Sequence, residues 1–318
     1  MEILLNSLIF IVGLAILIIS SDWLIQGSIK LSSLLRLTPL FVGLVLVAFG
    51  TSTPEAGVGI VAAIRNYKEI ALGNVIGSNI CNIGLILGLC AFVRPLKINK
   101  SILRREFPFM LLATVSLFLM SRDLLISRLD GLIFIFGFIA FLVFSYKGAR
   151  QSFIGDEINN FKFKGLFKRY NSPIAITVLS LISILGIAIG AKLMVDKGVV
   201  LANIFGVKPW LIAITVFAVG TSLPELAASL TAALKKAPSI SVGNIVGSNI
   251  FNILLILGVV SLIRPIQLEA SMLKFEFPVL LIFSFTLLIM MKTRHQISRW
   301  EGLSLFLGYI GFIFLLIH

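Results

Sequence analysis

The sequence predicts an all-α polytopic membrane protein, with ten transmembrane helices in two inverted five-helix repeats. Three observations lead there. Of the 318 residues, 58% are hydrophobic and only 13% charged, far beyond what a soluble core needs. The apolar stretches are long and continuous, not alternating, and hydrocarbon leaves backbone groups no water to pair with, so helices are the spanning element. The third observation is internal. GTSTPE at 50–55 returns as GTSLPE at 220–225, a spacing of 170, and GNVIGSNICNIGLILG from Gly73 returns as GNIVGSNIFNILLILG from Gly243. Arg94-Pro95 recurs as Arg264-Pro265, and Glu106-Phe107-Pro108 as Glu276-Phe277-Pro278.

Taken in order, the first repeat (1–148, motif 50–88) holds apolar runs near 3–20, 39–64, 72–92, 107–121 and 130–147. The second (173–318, motif 220–258) holds runs near 173–191, 209–233, 242–262, 277–291 and 301–317. Five spans is an odd number, so the second copy enters the membrane in the opposite orientation. The first run lacks a basic leader and ends in Ser20-Ser21-Asp22-Trp23 without a small-residue cleavage pattern, so it reads as a retained helix. In spans 3 and 8, glycines 73, 77, 84, 88, 243 and 247 are spaced for close helix packing. Cys81 and Cys90 lie nine apart in one predicted helix, too far for a disulfide and without partners for a metal cluster, which leaves packing. Glu106 and Glu276 border charged loops and are expected to face water. The repeat mates Asp22 and Lys192, and likewise Gln26 and Asp196, are expected at the interface.

Sorting the 27 lysines and arginines by side puts 9 on the side of both termini and 18 on the other. The positive-inside rule then places the termini outside and the basic linker 149–172 in the cytoplasm, in a cell-membrane, multi-pass protein. The net charge of +13 reads as anchoring to the lipid leaflet. It does not suggest nucleic-acid binding, because no soluble domain is large enough to grip a duplex. No protein partner is implied, and a monomer suffices.

Function is sought where polar groups enter the oily segments. A carboxylate near mid-span costs about 2.5–3.5 kcal/mol even on the lenient insertion scale. Glu55 and Glu225 therefore need compensation, and spans 2, 3, 7 and 8 contain no basic residue to provide it. They contain oxygen instead. Thr51, Ser52 and Glu55 fall within one turn, Ser78 and Asn82 share a face at i, i+4, and Thr221, Ser222, Glu225, Ser248 and Asn252 repeat the set. Pro54 and Pro224 each remove a backbone donor, which is expected to free carbonyls such as those of Ala48, Thr51, Ala218 and Thr221. Two carboxylates, two amides, hydroxyls and carbonyls, with no sulfur or imidazole, suit Ca2+ or Na+ and suit zinc or copper poorly. A proline kink relieved by Ser/Thr explains one GTSxPE motif. Two in register, each with a glutamate, point to a site.

At these motifs the chain resembles the sodium/calcium exchanger family of the cation/Ca2+ exchanger superfamily, whose two repeats have the form GTSxPE followed by GNxxGSNxxN. The resemblance implies an antiporter, not an enzyme, with Ca2+ and Na+ as transported substrates and no cofactor. It also implies that the ion ligands are Glu55 and Glu225, carbonyls of Thr51, Thr221, Ala48 and Ala218, and side chains of Ser52, Ser222, Ser78, Ser248, Asn82 and Asn252. Where K+-dependent members have an aspartate this sequence has Asn252, which favours K+-independent exchange. The linker of about 25 residues leaves no room for the calcium-sensing domains of animal exchangers. Alternating access, with spans 1 and 6 moving against the rest, follows as the expected mechanism. Ca2+/H+ antiport is the nearest rival, since a buried glutamate also takes a proton. An intramembrane protease is remote, because the spans hold no HExxH and no serine–histidine pair. A channel fits a closed polar cluster poorly.

Overall fold

The computed structural model describes residues 2–65, 68–151, 161, 163–204 and 220–317, most of them helical. The first half contains α1 (Glu2–Leu35), α2 (Pro39–Val42), α3 (Ala48–Thr51), α4 (Thr53–Ile64), α5 (Lys68–Cys81), α6 (Gly88–Val93), α7 (Lys100–Arg104), α8 (Glu106–Met120) and α9 (Arg128–Gln151). After the short α10 (Leu166–Arg169) come α11 (Pro173–Ile204), α12 (Leu223–Leu234), α13 (Pro238–Ile250), α14 (Leu257–Ile263), α15 (Ala270–Lys274), α16 (Glu276–Lys292) and α17 (Arg299–Ile317). Turns of π-helix, Gly43–Val47, Asn82–Leu87 and Phe251–Ile256, join α2 to α3, α5 to α6 and α13 to α14.

Seven continuous helical runs are long and apolar enough to cross a membrane, and the pair α2–α3 and α4, bent by 47° at Ser52, makes an eighth. Two of the ten predicted spans are not among these: the 107–121 run forms α8, only 15 residues long, and the first part of the 209–233 run lies outside the described residues. The break at Arg105, like its mate at Phe275, precedes a proline three residues on, Pro108 or Pro278, whose ring disturbs the turn before it.

α1 and α11, at 34 and 32 residues, run far past the predicted 3–20 and 173–191. At 1.5 Å per residue each is about 50 Å long, well beyond the ~30 Å hydrocarbon layer. Hydropathy missed the extension of α1 because Asp22 interrupts it. The Gln26 amide donates to the Asp22 carboxylate (2.7 Å) one turn away, and Asp22 pairs with Lys235. Lys192 and Asp196 are exposed. α1 and α11 meet backbone to backbone, since a Cβ at Gly190 would sit 2.7 Å from Leu17 N and 2.8 Å from Gly13 O.

The runs α5–α6 and α13–α14 are almost wholly buried and form the centre of the molecule. Gly243 packs on α2, where a Cβ would lie 2.7 Å from Leu40 O, and a Cβ at Gly247 would run into Leu44 O in the π-helical turn that follows. Gly84 and Gly88 abut Tyr309 and Phe306 of α17. Gly73 and Gly77 have nothing within 4 Å among the described residues and border a cavity, so close packing is not seen for that pair. Cys81 and Cys90 are buried and free.

The remaining elements fix the ends. Ser127 N and Oγ donate to the Asp130 carboxylate at 2.8 and 2.7 Å, capping α9, and Ser298 with Glu301 repeats this at 2.7 Å for both bonds on α17. Two short antiparallel ladders tie the halves together: β1 (Leu96–Lys97) pairs with β4 (Gln296–Ile297), and β2 (Leu125–Ile126) with β3 (Ile266–Gln267). Glu106 does not face water. It is only 5% exposed, in the first turn of α8 among the buried Phe107 and Met110 of the same helix, and its Oε2 has no hydrogen-bond partner among the described residues. Its mate Glu276 is partly exposed.

Candidate cation site

Both glutamates sit in the first turn of a half-helix, Glu55 in α4 and Glu225 in α12. Pro54 and Pro224 are near the first helical position, where a missing N–H costs nothing. They therefore start new helices after a break at Ser52 and Ser222, whose backbones (φ −82° ψ 7° and φ −90° ψ 5°) leave the α-helical region. The carboxylates thus lie at the positive ends of two helices, which favours negative charge there.

The two breaks interlock. Ser52 Oγ donates to Glu225 Oε1 (2.8 Å) and Ser222 Oγ donates to Glu55 Oε1 (3.5 Å), so each serine serves the other repeat's glutamate. Both carboxylates are 1% exposed. Among the described residues the one ion pair is Asp22–Lys235, so no lysine or arginine neutralises either of them.

Of the other sequence candidates, Thr51, Ser52, Asn82, Ser222, Ser248, Asn252 and Ala48 are at most 1% exposed and Ser78 is 5% exposed. Asn82 and Asn252 begin or enter the π-helical turns, whose extra residue per turn shifts the ladder of carbonyls. The Ala48 carbonyl is not loosened by Pro54: it accepts from Ser52 N (2.9 Å) and Thr51 Oγ1 (3.4 Å). Ala218 lies outside the described residues.

Five further polar residues, not singled out from the sequence, hold this arrangement. Asn74 Nδ2 donates to Glu55 O (3.2 Å), and Asn244 Nδ2 donates to Glu225 O (3.4 Å) and Ser229 Oγ (2.8 Å). Asn82 Nδ2 donates to Asn249 Oδ1 (3.0 Å), and Asn252 Nδ2 to Asn79 Oδ1 (3.1 Å). Asn74, Asn79, Asn244 and Asn249 all stand inside the repeated Gly-Asn and Gly-Ser-Asn blocks, so identity between repeats was the available signal. The i, i+4 face through Ser78 and Asn82 passes them by.

These bonds occupy the amide donors and leave oxygens over. Glu55 Oε2, Glu225 Oε2, Asn82 Oδ1, Asn252 Oδ1, Thr221 Oγ1 and Ser248 Oγ are buried without a hydrogen-bond partner among the described residues. Unsatisfied oxygens at this depth cost several kcal/mol each in hydrocarbon, about as much as a lost hydrogen bond. A cluster of acceptors with its donors already used is suited to a hard cation, which takes 6–8 oxygens when it is Ca2+.

A helical membrane protein with a bent span, half-helices starting at buried acids and a buried cluster of unpartnered oxygens has the features of a secondary transporter. Within that class the chain is a member of the sodium/calcium exchanger protein family, which matches residues 5–147 and 175–318. It is 34% identical to the sodium/calcium exchanger MaX1 of Methanosarcina acetivorans, over 98% of this chain and 99% of that one. It is 35% identical to the inner membrane protein YrbG of Escherichia coli, over 98% and 97%. Among solved structures it resembles the sodium-calcium exchanger NCX_Mj soaked with zero Na+ and Ca2+, with a TM-score of 0.84, 30% identity and 99% of both chains covered. Cation/Ca2+ exchange antiport is therefore the activity of its family.

Proposed function

We propose that this chain exchanges Na+ for Ca2+ across the cell membrane by alternating access, electrogenically and without K+. The observation that carries the reading is the mirrored set of unpartnered oxygens, one carboxylate and one amide from each repeat. Ca2+ and Na+ compete for these, with Glu55, Glu225, Asn82, Asn252, Thr51, Thr221, Ser52, Ser222, Ser78 and Ser248 as ligands and backbone carbonyls, Ala48 and Ala218 among them, completing the shell. Asn252 in place of an aspartate keeps the site at two formal negative charges, which balance one Ca2+ and leave no third charge for K+.

Ten spans in two inverted repeats accommodate the pairing of β1 with β4 and of β2 with β3, since that topology puts both loops of each pair on one face. The excess of basic residues then sets the termini outside and the linker 149–172 inside. α1 and α11, joined through Gly13 and Gly190 and lying at the periphery, are the pair that moves. If three Na+ exchange for one Ca2+, as is usual in the family, one net charge crosses per cycle, worth about 2.3 kcal/mol per 100 mV.

Uptake of labelled Ca2+ into proteoliposomes tests this under imposed Na+, H+ and K+ gradients and at clamped voltage. Uptake driven by Na+, enhanced by voltage and indifferent to K+ is the expected result. Uptake driven by a pH gradient alone assigns Ca2+/H+ antiport instead, a reading favoured by the same free carboxylate oxygens, which accept protons as well as metal.

The moving pair has a tether. Asp22 of α1 pairs with Lys235, just past the end of the Glu225 helix, at side-chain exposures of 38% and 23%. Gln26 beside it accepts from Lys164 N (2.8 Å) in the linker. A half-exposed pair contributes at most about 1 kcal/mol. Asp22→Asn or Lys235→Gln is therefore expected to change turnover by up to about fivefold, and the exchange Asp22→Lys with Lys235→Asp to restore it. Unchanged turnover in both single variants removes the tether from the cycle.

A further inference from the structure

A cavity of about 450 Å3 opens beside the first turns of α5, bordered by the start of α16 and the end of α17. Its wall is apolar except for Asn74, Ser78, Glu276 and Tyr309. Three of these have oxygen to spare. Glu276 makes no hydrogen bond or ion pair among the described residues, whereas Asp130 and Glu301, also in first turns, accept from the serine three residues before them. Ser78 is 95% buried by its 5% exposure, yet does not return its hydroxyl to the carbonyl one turn back as Ser121, Ser180 and Ser284 do at 2.7, 2.9 and 2.8 Å. Asn74 commits its amide NH2 to Glu55 O at 3.2 Å and leaves its own oxygen unpaired among the described residues. The cavity thus runs from a free carboxylate at its rim, past an amide that touches the backbone of Glu55, to a hydroxyl of the candidate site.

We infer that Glu276 captures the incoming cation, and that Glu276 and Asn74 form a transit site for partly hydrated Ca2+ or Na+ outside the central one, which it joins at Ser78. The inference rests on the antiport reading and adds to it a residue remote from the central ligands. A carboxylate set in low-dielectric walls focuses its field and raises the local concentration of counter-ions. The cavity is many times larger than the ~30 Å3 share of one water, so the ion need not shed its shell to enter. Glu106, the repeat mate, is 5% exposed with Oε2 unpartnered among the described residues, and it takes the same part for the opposite face when that face opens.

The test separates capture from chemistry at the central site. In oriented proteoliposomes at low ionic strength, Glu276→Gln is expected to raise the KM for Ca2+ about three- to tenfold for entry from the face bearing the termini. The maximal rate should stay within about twofold, and KM from the opposite face should be unchanged. The increase should shrink in about 1 M salt, where the Debye length is about 3 Å. Glu276→Asp should behave as wild type. Glu276→Cys should recover a low KM when modified by a sulfonate-bearing thiol reagent and not by an ammonium-bearing one, since both native cysteines are buried. An unchanged KM, a change equal on both faces, or a loss confined to the maximal rate overturns the inference while leaving antiport intact. Absence of Na+-driven flux in the wild type sinks the antiport reading itself.

Discussion

Glu55→Gln and Glu225→Gln are each expected to reduce Ca2+ exchange at least about a hundredfold while leaving the chain folded. Glutamine keeps the volume and the oxygen that accepts from Ser222 or Ser52, so the change removes one negative charge and little else. Two unit charges 4 Å apart attract by about 4 kcal/mol at an effective dielectric near 20, and a divalent ion doubles the pull. Part of this is returned because the ion-free protein no longer buries an anion. A net loss of two decades in affinity, at about 1.4 kcal/mol per decade, is the conservative expectation. The same argument gives the sign of a second measurement. A buried carboxylate with no basic partner destabilises the empty protein, so thermal stability without Ca2+ should hold or rise in both variants. The stabilisation that wild type gains from ligand, about 2.7 kcal/mol at a hundred times Kd, should vanish. Full exchange in either variant, or a fall in ion-free stability, refutes the ligand roles.

Much of that site was legible because membrane interiors tolerate few polar residues. Glu55, Ser52 and their mates could be marked from composition and register alone, and the fold places Ser52 against Glu225 and Ser222 against Glu55. What escaped depended on partners distant in sequence. Asn79 looks like Ser78's neighbour on the wrong face until the π-helical turn after α13 brings Asn252 to it. The π-helical turns at Asn82 and Phe251 leave no local signature, because one extra residue per turn is set by packing and not by propensity. Glu106 was expected in water because its neighbours Arg104 and Arg105 are charged, yet the helix it starts turns that carboxylate inward. α1 and α11 run past the predicted ends at 20 and 191 because Asp22 and Lys192 interrupt the apolar runs without ending the helices. The structure accommodates Asp22 with Gln26 and Lys235 and leaves Lys192 exposed.

Gly247→Ala is expected to cost about 1–3 kcal/mol, the usual range for overpacking, and Gly247→Val to prevent recovery of folded protein. The reason is the atom that the new methyl meets. A Cβ there would run into Leu44 O and come within 2.8 Å of Leu44 Cα and the Ala48 methyl, so the obstacle is mostly backbone that cannot rotate away. A Cβ at Gly243 would lie 2.7 Å from Leu40 O and one at Gly43 2.9 Å from Ile240 O, so α13 is packed against the first half of the bent span at three glycines. Relief requires the helices to part, and the separation falls on the site. The Thr51 hydroxyl lies 3.2 Å from Asn244 Oδ1, while Asn244 holds the carbonyl of Glu225. Gly247→Ala should therefore lose Ca2+ affinity as well as thermal stability, without any ligand having been changed. Gly311→Ala is the control: with nothing within 4 Å among the described residues it meets no obstacle. As a glycine inside a helix it should gain about 0.5–1 kcal/mol from the replacement. If both alanine variants behave alike, the backbone contact between α13 and the bent span does not hold the site in place.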